Sequence, residues 1–391
     1  MSDLRIAIDY TTGVWPGAGV ARYTRSLVAA LAQADARNDY TLFYGGRGLP
    51  RDTPEYAYLQ DLLARRRNLH VHELPASARQ LGILWNRLRV PLAADRLVGG
   101  ADVLHAPDFI APPVARARRV ITIHDLSFLI IPEVADPGNR AYLGQHVPRA
   151  ARQANRVIAV SETTRQDVIE RLRIRPERVI TVPNGVEPHF RPLPHADLIA
   201  LAPAVQARLG LPPRYLLHVG TIEPRKNLVR LIGAFMGLVA SGRDDGHDLV
   251  LAGRRGWMYE AVFDAAEASG LRERIHFLDY VPEPDLPLLY NLATVFVYPS
   301  LYEGFGLPVL EAMACGTPVV AARTPALVEL VGNAAMLIDP TDETSITVVL
   351  ELLIEDPARR QTLYQAGLTR AARYPWSAAA NLMLGVYAGL K

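Results

Sequence analysis

Cysteine and lysine are almost missing from this chain. One of its 391 residues is cysteine, Cys315. An intramolecular disulfide and a cysteine-ligated metal cluster are therefore excluded, and a reducing, cytoplasmic compartment is expected. Long apolar runs are missing as well. No stretch reaches the ~18 apolar residues of a membrane-crossing helix. The opening MSDLRIAIDY reads as a polar lead into a short strand broken by Asp9, not as an export leader. Excess charge is missing too. Basic and acidic residues number 42 and 40, a net charge of +2, which predicts no nucleic-acid partner. Residues 1–200 carry +6 and the remainder −4. A basic first half suits an anionic acceptor or a lipid surface, although uneven solvated faces produce the same count.

The basic residues comprise 40 arginines and two lysines, Lys226 and the terminal Lys391. An internal lysine kept among arginines suggests a place for a compact ammonium rather than a planar fork. No His, Cys or carboxylate set has metal-ligand spacing, so neither a metal nor another cofactor is expected.

What is present is an alternation of short apolar runs and amphipathic segments. Strands are predicted at 4–9, 40–44, 69–73, 102–105, 119–124, 156–160 and 178–182. A second series is predicted at 214–219, 248–252, 275–278, 294–298, 318–321 and 335–338. Helices are predicted at 19–34, 227–240, 257–269, 307–315, 324–331 and 343–355. Such alternation predicts an α/β fold with parallel, doubly wound sheets. At this length it predicts two Rossmann-like domains facing across a cleft, over 1–190 and 205–375. The proline-rich stretch 187–212 is expected to link them.

In such sheets ligands bind beyond the carboxyl ends of the strands. Four loops there carry unusual residues. After the first strand, Gly17 and Gly19 permit close backbone approach before a helix start, a partial dinucleotide fingerprint with Arg22 at the third glycine position. A flexible turn is the competing reading. After 119–124, His124 and Asp125 form a polar pair suited to proton transfer or to a sugar hydroxyl. In the EPRKN loop, Arg225 and Lys226 project from a strand end as a diphosphate clamp. In EGFGLPVLE, Glu303 lies in a loop and Glu311 about a turn into a helix. Gly304 and Gly306 leave backbone N–H groups available between them. A carboxylate accepts two hydroxyls at once, which suits sugar and ribose diols.

These motifs, together with VPNGV at 182–186 and EGFGLPVLEAMACGTPVV at 303–320, resemble glycosyltransferase family 4, retaining enzymes of the GT-B architecture. The resemblance runs along nearly the whole chain. It implies a nucleotide-sugar donor in the second domain, with Arg225 and Lys226 on the diphosphate and Glu311 on the ribose. Glu303 would touch the donor hexose, and the amides of Phe305, Gly306 and Leu307 would hold sugar and phosphate. Arg254 would line the base pocket. Gly17 and Gly19 would reach the diphosphate, and His124 the transferred sugar. The last helix, from about 376 to 391, would return to the first domain. Retention in this family is explained by attack on the face the leaving group departs from, so Glu303 is expected to orient the sugar rather than act as a nucleophile. Similarity to bacterial surface-polysaccharide mannosyltransferases makes GDP-mannose the first expected donor and a saccharide or lipid-linked saccharide the acceptor. Arg65, Arg66, Arg67, Arg116, Arg118 and Arg119 are candidates for peripheral contact with the inner membrane face, and a solvated charged face is the competing reading. The alternatives are a non-catalytic nucleotide-sugar binder of the same fold and, against the broken fingerprint, a NAD-dependent oxidoreductase.

Overall fold

Short runs such as VFVY and VVAA are apolar on both faces, and such strands are stable only inside a parallel sheet covered by helices on each side. The structure, a computed structural model describing residues 3–17 and 19–391, has two sheets of this kind. The first contains β1 (Arg5–Asp9), β2 (Asp39–Gly45), β3 (Leu69–Leu74), β4 (Val103–Ala106), β5 (Arg118–Ile123), β6 (Arg156–Ala159) and β7 (Val179–Thr181). Its order is β3-β2-β1-β4-β5-β6-β7. The second contains β8 (Tyr215–Val219), β9 (Asp248–Ala252), β10 (Ile275–Phe277), β11 (Val295–Tyr298), β12 (Val319–Ala322) and β13 (Met336–Ile338), in the order β10-β9-β8-β11-β12-β13. Every pairing between these strands is parallel. These are the parallel, doubly wound sheets expected from the alternation.

The strand order reverses between β1 and β4 in the first sheet and between β8 and β11 in the second. Loops leaving neighbouring strands in opposite directions open a crevice at each reversal, where doubly wound sheets bind ligands.

The chain divides into two compact units. One comprises 1–126, 141–185 and 376–391, and the other 127–140 and 186–375. The segment 127–140, which the sequence left in the first domain, thus clusters with the second unit. Trp257 Nε1 donates to the Val134 carbonyl there at 2.8 Å. Each unit has its own apolar core. Leu216, Leu231, Phe235, Val295 and Val320 are among the buried residues of the second. Ala7, Phe43, Leu81 and Leu104 belong to the first.

The stretch 187–212 contains a helix that the sequence reading did not list, His195–Leu209, with Pro203 inside it. Gly210 ends it in the left-handed conformation at φ 64°, which glycine adopts without strain. The prolines obscured a segment in which Arg208 forks onto Asp285 at 2.6 and 2.9 Å.

The C-terminal helix, Trp376–Ala388, packs on the helix Val20–Ala34 of the first unit. It brings the Tyr387 hydroxyl 2.7 Å from His105 Nδ1. His105 Nε2 lies 2.9 Å from the Thr122 hydroxyl, itself 3.1 Å from the Tyr23 hydroxyl. All four side chains are buried. Burial pushes the His105 pKa down to about 3, so the ring is neutral in this chain of bonds. Tyr387→Phe leaves a buried ring nitrogen without its partner and is expected to cost about 1–3 kcal/mol. Urea unfolding of the full chain, followed by a first-unit probe, measures this; an unchanged midpoint would show that the bond contributes nothing.

Candidate active site

The loops following β8 and β11 emerge side by side at the reversal of the second sheet. The first carries Glu223, Arg225 and Lys226 through a short 3-10 turn, Pro224–Lys226, and Asn227 closes it at φ 61°. Asn227 Nδ2 donates to the carbonyls of Pro299 and Pro340, tying this loop to the one after β11. The second loop carries Glu303 and runs into the helix Leu307–Ala314, with Pro308 in its first turn, where a missing N–H costs nothing.

The side chains of the two loops meet. Lys226 Nζ lies 2.6 Å from Glu303 Oε1 and 2.7 Å from the Tyr298 hydroxyl. Arg225 Nη1 lies 2.8 Å from Glu303 Oε2 and 3.0 Å from the Tyr302 carbonyl. Arg225 Nη2 lies 2.6 Å from Glu223 Oε1. Lys226 is only 6% exposed and Glu303 only 7%. Burial opposes ionisation of Glu303, but Arg225 and Lys226 outweigh it and hold the carboxyl down at about 2. Burial and the Arg225 charge lower the Lys226 pKa, and Glu303 and Glu223 oppose them. The result is a quartet of two cations and two carboxylates, buried except for Arg225, whose side chain is 15% exposed.

Three further features surround it. The ammonium sits 4.9 Å from the centroid of the Tyr298 ring, a cation–π distance, and His218 stacks against the same ring at 5.4 Å. His218 Nδ1 lies 3.0 Å from the Val297 carbonyl and must donate to it, which leaves Nε2 as a buried acceptor with no partner. Burial pushes the His218 pKa down to about 4. Gly220 makes room here, since a Cβ would lie 3.2 Å from His218 Nε2 and 3.5 Å from Lys226 Cε.

The amides before and at the start of the helix form the second polar surface. Gly306 has φ 108°, and a side chain there would collide with Leu327 at 2.7 Å. First-turn N–H groups have no acceptor inside their own helix. Among the described residues, those of Phe305, Gly306 and Leu307 find no acceptor elsewhere in the chain. They and the helix dipole favour an anion. Glu311 is buried further along this helix and accepts from the Tyr290 hydroxyl at 3.0 Å. Arg254 lies in the neighbouring loop after β9, its guanidinium 4.2 Å from the centroid of the Tyr280 ring and its carbonyl accepting from the Ile222 amide.

The remaining predicted residues lie in the first unit. His124 Nε2 lies 2.7 Å from the Pro107 carbonyl and must donate to it. Tyr23 and Phe109 present T-shaped contacts to the ring at 4.7 and 5.5 Å. Burial lowers its pKa, so the neutral ring offers Nδ1 as an acceptor. Gly17 accepts from Arg25 at 3.4 Å, and Gly19 has φ 45° with open space at its Cβ position.

Sequence reasoning did not single out Tyr298 or His218. Both sit on strands and look like core residues, and only the adjacency of β8 and β11 reveals them as lining. Among the described residues no group of three or more His, Cys, Asp or Glu is placed to hold a metal ion, and no helix is long and apolar enough to cross a membrane.

Comparison with known proteins gives a consistent result. Residues 17–190 match the family described as Glycosyltransferase Family 4, and residues 205–370 match Glycosyl transferases group 1. The chain is 30% identical to O-antigen chain mannosyltransferase B of Escherichia coli over 95% of its own length and 96% of that protein. Its fold is similar to that of sucrose-phosphate synthase from Thermosynechococcus elongatus, with TM-score 0.75, 22% identity and 99% coverage of each chain. Anabaena HepE in complex with UDP and glucose is also similar, with TM-score 0.73, 20% identity and coverage of 99% of this chain and 100% of that one.

The quartet gives one prediction and the neighbouring His218 another. Glu303→Ala leaves the buried Lys226 and the partly buried Arg225 facing only Glu223 and is expected to destabilise the second unit by roughly 3–5 kcal/mol. Denaturant unfolding reads this directly, and a loss below the error of the fit would mean the ions are effectively solvated. His218, depressed in the folded state, contributes stability that is complete above about pH 6.5 and lost as pH falls toward 4. The unfolding midpoint should therefore decline below pH 6.5, and His218→Gln should flatten that part of the curve.

Proposed function

The chain belongs to glycosyltransferase family 4, and from that premise we propose that it moves mannose from GDP-mannose to a hydroxyl of a saccharide or lipid-linked saccharide, with retention at the anomeric carbon. The reaction would serve cell-surface polysaccharide synthesis at the cytoplasmic face of the membrane. One observation carries the reading. An arginine and the only internal lysine sit at the reversal of the second sheet, beside a carboxylate and three free backbone amides. That set of groups suits a nucleoside diphosphate joined to a polyol. Mannose and the polysaccharide context are supported by the name of the Escherichia coli relative, whose length the chain nearly spans.

The chemistry follows from the donor. The anomeric C–O bond to the β-phosphate breaks, and negative charge develops on the departing diphosphate. Arg225, Lys226 and the amides of Phe305, Gly306 and Leu307 stabilise that charge as it forms. The acceptor oxygen bonds to the anomeric carbon on the same face. Its proton passes to the leaving phosphate oxygen, so no protein acid or base is required. Glu303 orients hexose hydroxyls, Glu311 takes the ribose diol and Arg254 borders the base. Gly17 and Gly19 approach the diphosphate. His124, neutral and with Nδ1 available, accepts from a hydroxyl of the transferred sugar. Hydride transfer has no part in this reading, because family membership leaves it without support.

The test is incubation with GDP-mannose, GDP-fucose, UDP-glucose and UDP-N-acetylglucosamine, with mass spectrometry of the product and measurement of released nucleoside diphosphate. Turnover with GDP-mannose is expected; turnover with another donor alone would replace the sugar assignment, and binding without turnover would favour the non-catalytic alternative. Lys226→Ala should weaken GDP binding and slow transfer together. Glu303→Ala should slow transfer by ~100-fold or more without weakening GDP binding. Calorimetry separates the two, and a large loss of GDP affinity in Glu303→Ala would falsify the role given to that carboxylate.

A further inference from the structure

The first unit holds a cavity that the donor reading does not use. Its volume is about 450 Å³, and its wall includes Arg89, Arg119, Arg149 and His146, with Trp85 and Ile110 among the apolar side chains. Arg89 follows a short π-helical segment, Ile83–Arg87, and is held at φ 55°, a left-handed conformation uncommon for a side-chain-bearing residue. Arg149 and His146 come from the helix Pro137–Gln153, and Arg119 from the start of β5.

These cations are not spent on carboxylates. Among the described residues neither Arg89 nor Arg149 has an ion-pair partner, although many other arginines of the chain do. Arg119 uses Nη1 on Gln153 at 3.0 Å, while its buried Nε has no acceptor. Among the described residues no acidic side chain lines the cavity. Burial and the charges of Arg89 and Arg149 lower the pKa of His146, consistent with cations crowded around one space. Three guanidinium groups converging without a counter-ion repel one another, and an anion with several acceptor oxygens removes that repulsion.

We propose that this cavity binds a phosphate or diphosphate group carried by an apolar molecule. The apolar half of the argument comes from the rim. Leu88 is 62% exposed, and Leu92 and Tyr142 about 40% each, next to the arginines in sequence or space. Asn86 donates to the Tyr142 hydroxyl at 2.8 Å, joining the two sides of the opening. The loop 107–113 connects the cavity to His124, since Phe109 contacts the His124 ring and Ile110 lines the wall. A phosphate held here belongs to the molecule the first unit binds. Resting on the proposed function, that molecule is the acceptor, with its phosphate anchored apart from the hydroxyl that reacts.

The test compares the full-length protein with Arg89→Gln/Arg149→Gln. Both positions are exposed and unpaired, so the fold should persist, and Arg149→Glu provides a second variant through reversed charge. Calorimetric titration with inorganic pyrophosphate should show one fewer site in the variants, or at least ~10-fold weaker binding at it. Flotation with phosphatidylglycerol vesicles, against phosphatidylcholine alone, forms the other arm. Loss in the pyrophosphate arm only assigns the site to a soluble or acceptor-borne phosphate, and loss in the vesicle arm only assigns it to a lipid headgroup. Loss in neither arm overturns the proposal. GDP titration of the same proteins should be unchanged. If GDP binds neither protein, the donor reading fails while the pyrophosphate result stands.

Discussion

The contact between Lys226 and Glu303 joins residues 77 positions apart in the chain. It exists because β8 and β11 are neighbours in the sheet although β9 and β10 separate them in sequence. A doubly wound sheet sends the chain away in one direction after β8 and in the other after β11. Only at that reversal can two strand-end loops face each other without a helix crossing between them. The rest of the second unit serves this meeting. Asn227 ties the loops together, Gly220 clears space for the lysine stem, and Tyr298 supports the ammonium from the strand below.

The choice of lysine has a geometric reason. Lys226 enters a narrow slot between the Tyr298 ring and Gly220 and ends as a point charge shared by a carboxylate and a phenol. A planar guanidinium would present a wider five-donor fork in place of this point charge. Arg225, next in sequence but less buried, has room to fork onto Glu223, Glu303 and the Tyr302 carbonyl. The first unit's cavity shows the opposite case, where wide guanidinium groups converge on open volume and no lysine is used.

Much of this was legible in the sequence, and the failures have physical causes. Parallel strands buried on both faces leave continuous apolar runs, so the two sheets could be read from VFVY, VVAA and their counterparts. The EPRKN and EGFGLPVLE loops were legible because charges and glycines directly after such runs have few structural reasons to be there. The helix His195–Leu209 was hidden by Pro194 and Pro203, which punctuate without breaking it. Tyr298 and His218 were hidden by their strands, since a residue at a strand's carboxyl end looks like core until its neighbour is known. The cavity was hidden by dispersal: Arg89, Arg119 and Arg149 come from three distant segments, and each alone reads as a solvated surface charge. Arg119 in particular was grouped by sequence with Arg116 and Arg118, whereas the fold turns it toward Gln153 and the cavity.

The quartet also limits how an anion can bind. Glu223 and Glu303 already neutralise Arg225 and Lys226, so the site in this structure presents no net cation to a diphosphate. A bare diphosphate gains the two cations only by competing with Glu303, and a displaced buried carboxylate is costly unless something else receives it. Hexose hydroxyls can receive it. On the proposed reading, a sugar that hydrogen-bonds Glu303 draws the carboxylate off Lys226 and frees the ammonium for the phosphate attached to that sugar. Recognition of the hexose and stabilisation of the leaving group then depend on each other through one side chain. On that reading a donor carrying the right sugar would assemble the clamp, whereas the nucleoside diphosphate left after transfer would lack the hydroxyls that hold Glu303 away. The returning carboxylate would then compete with the product for Lys226 and favour release.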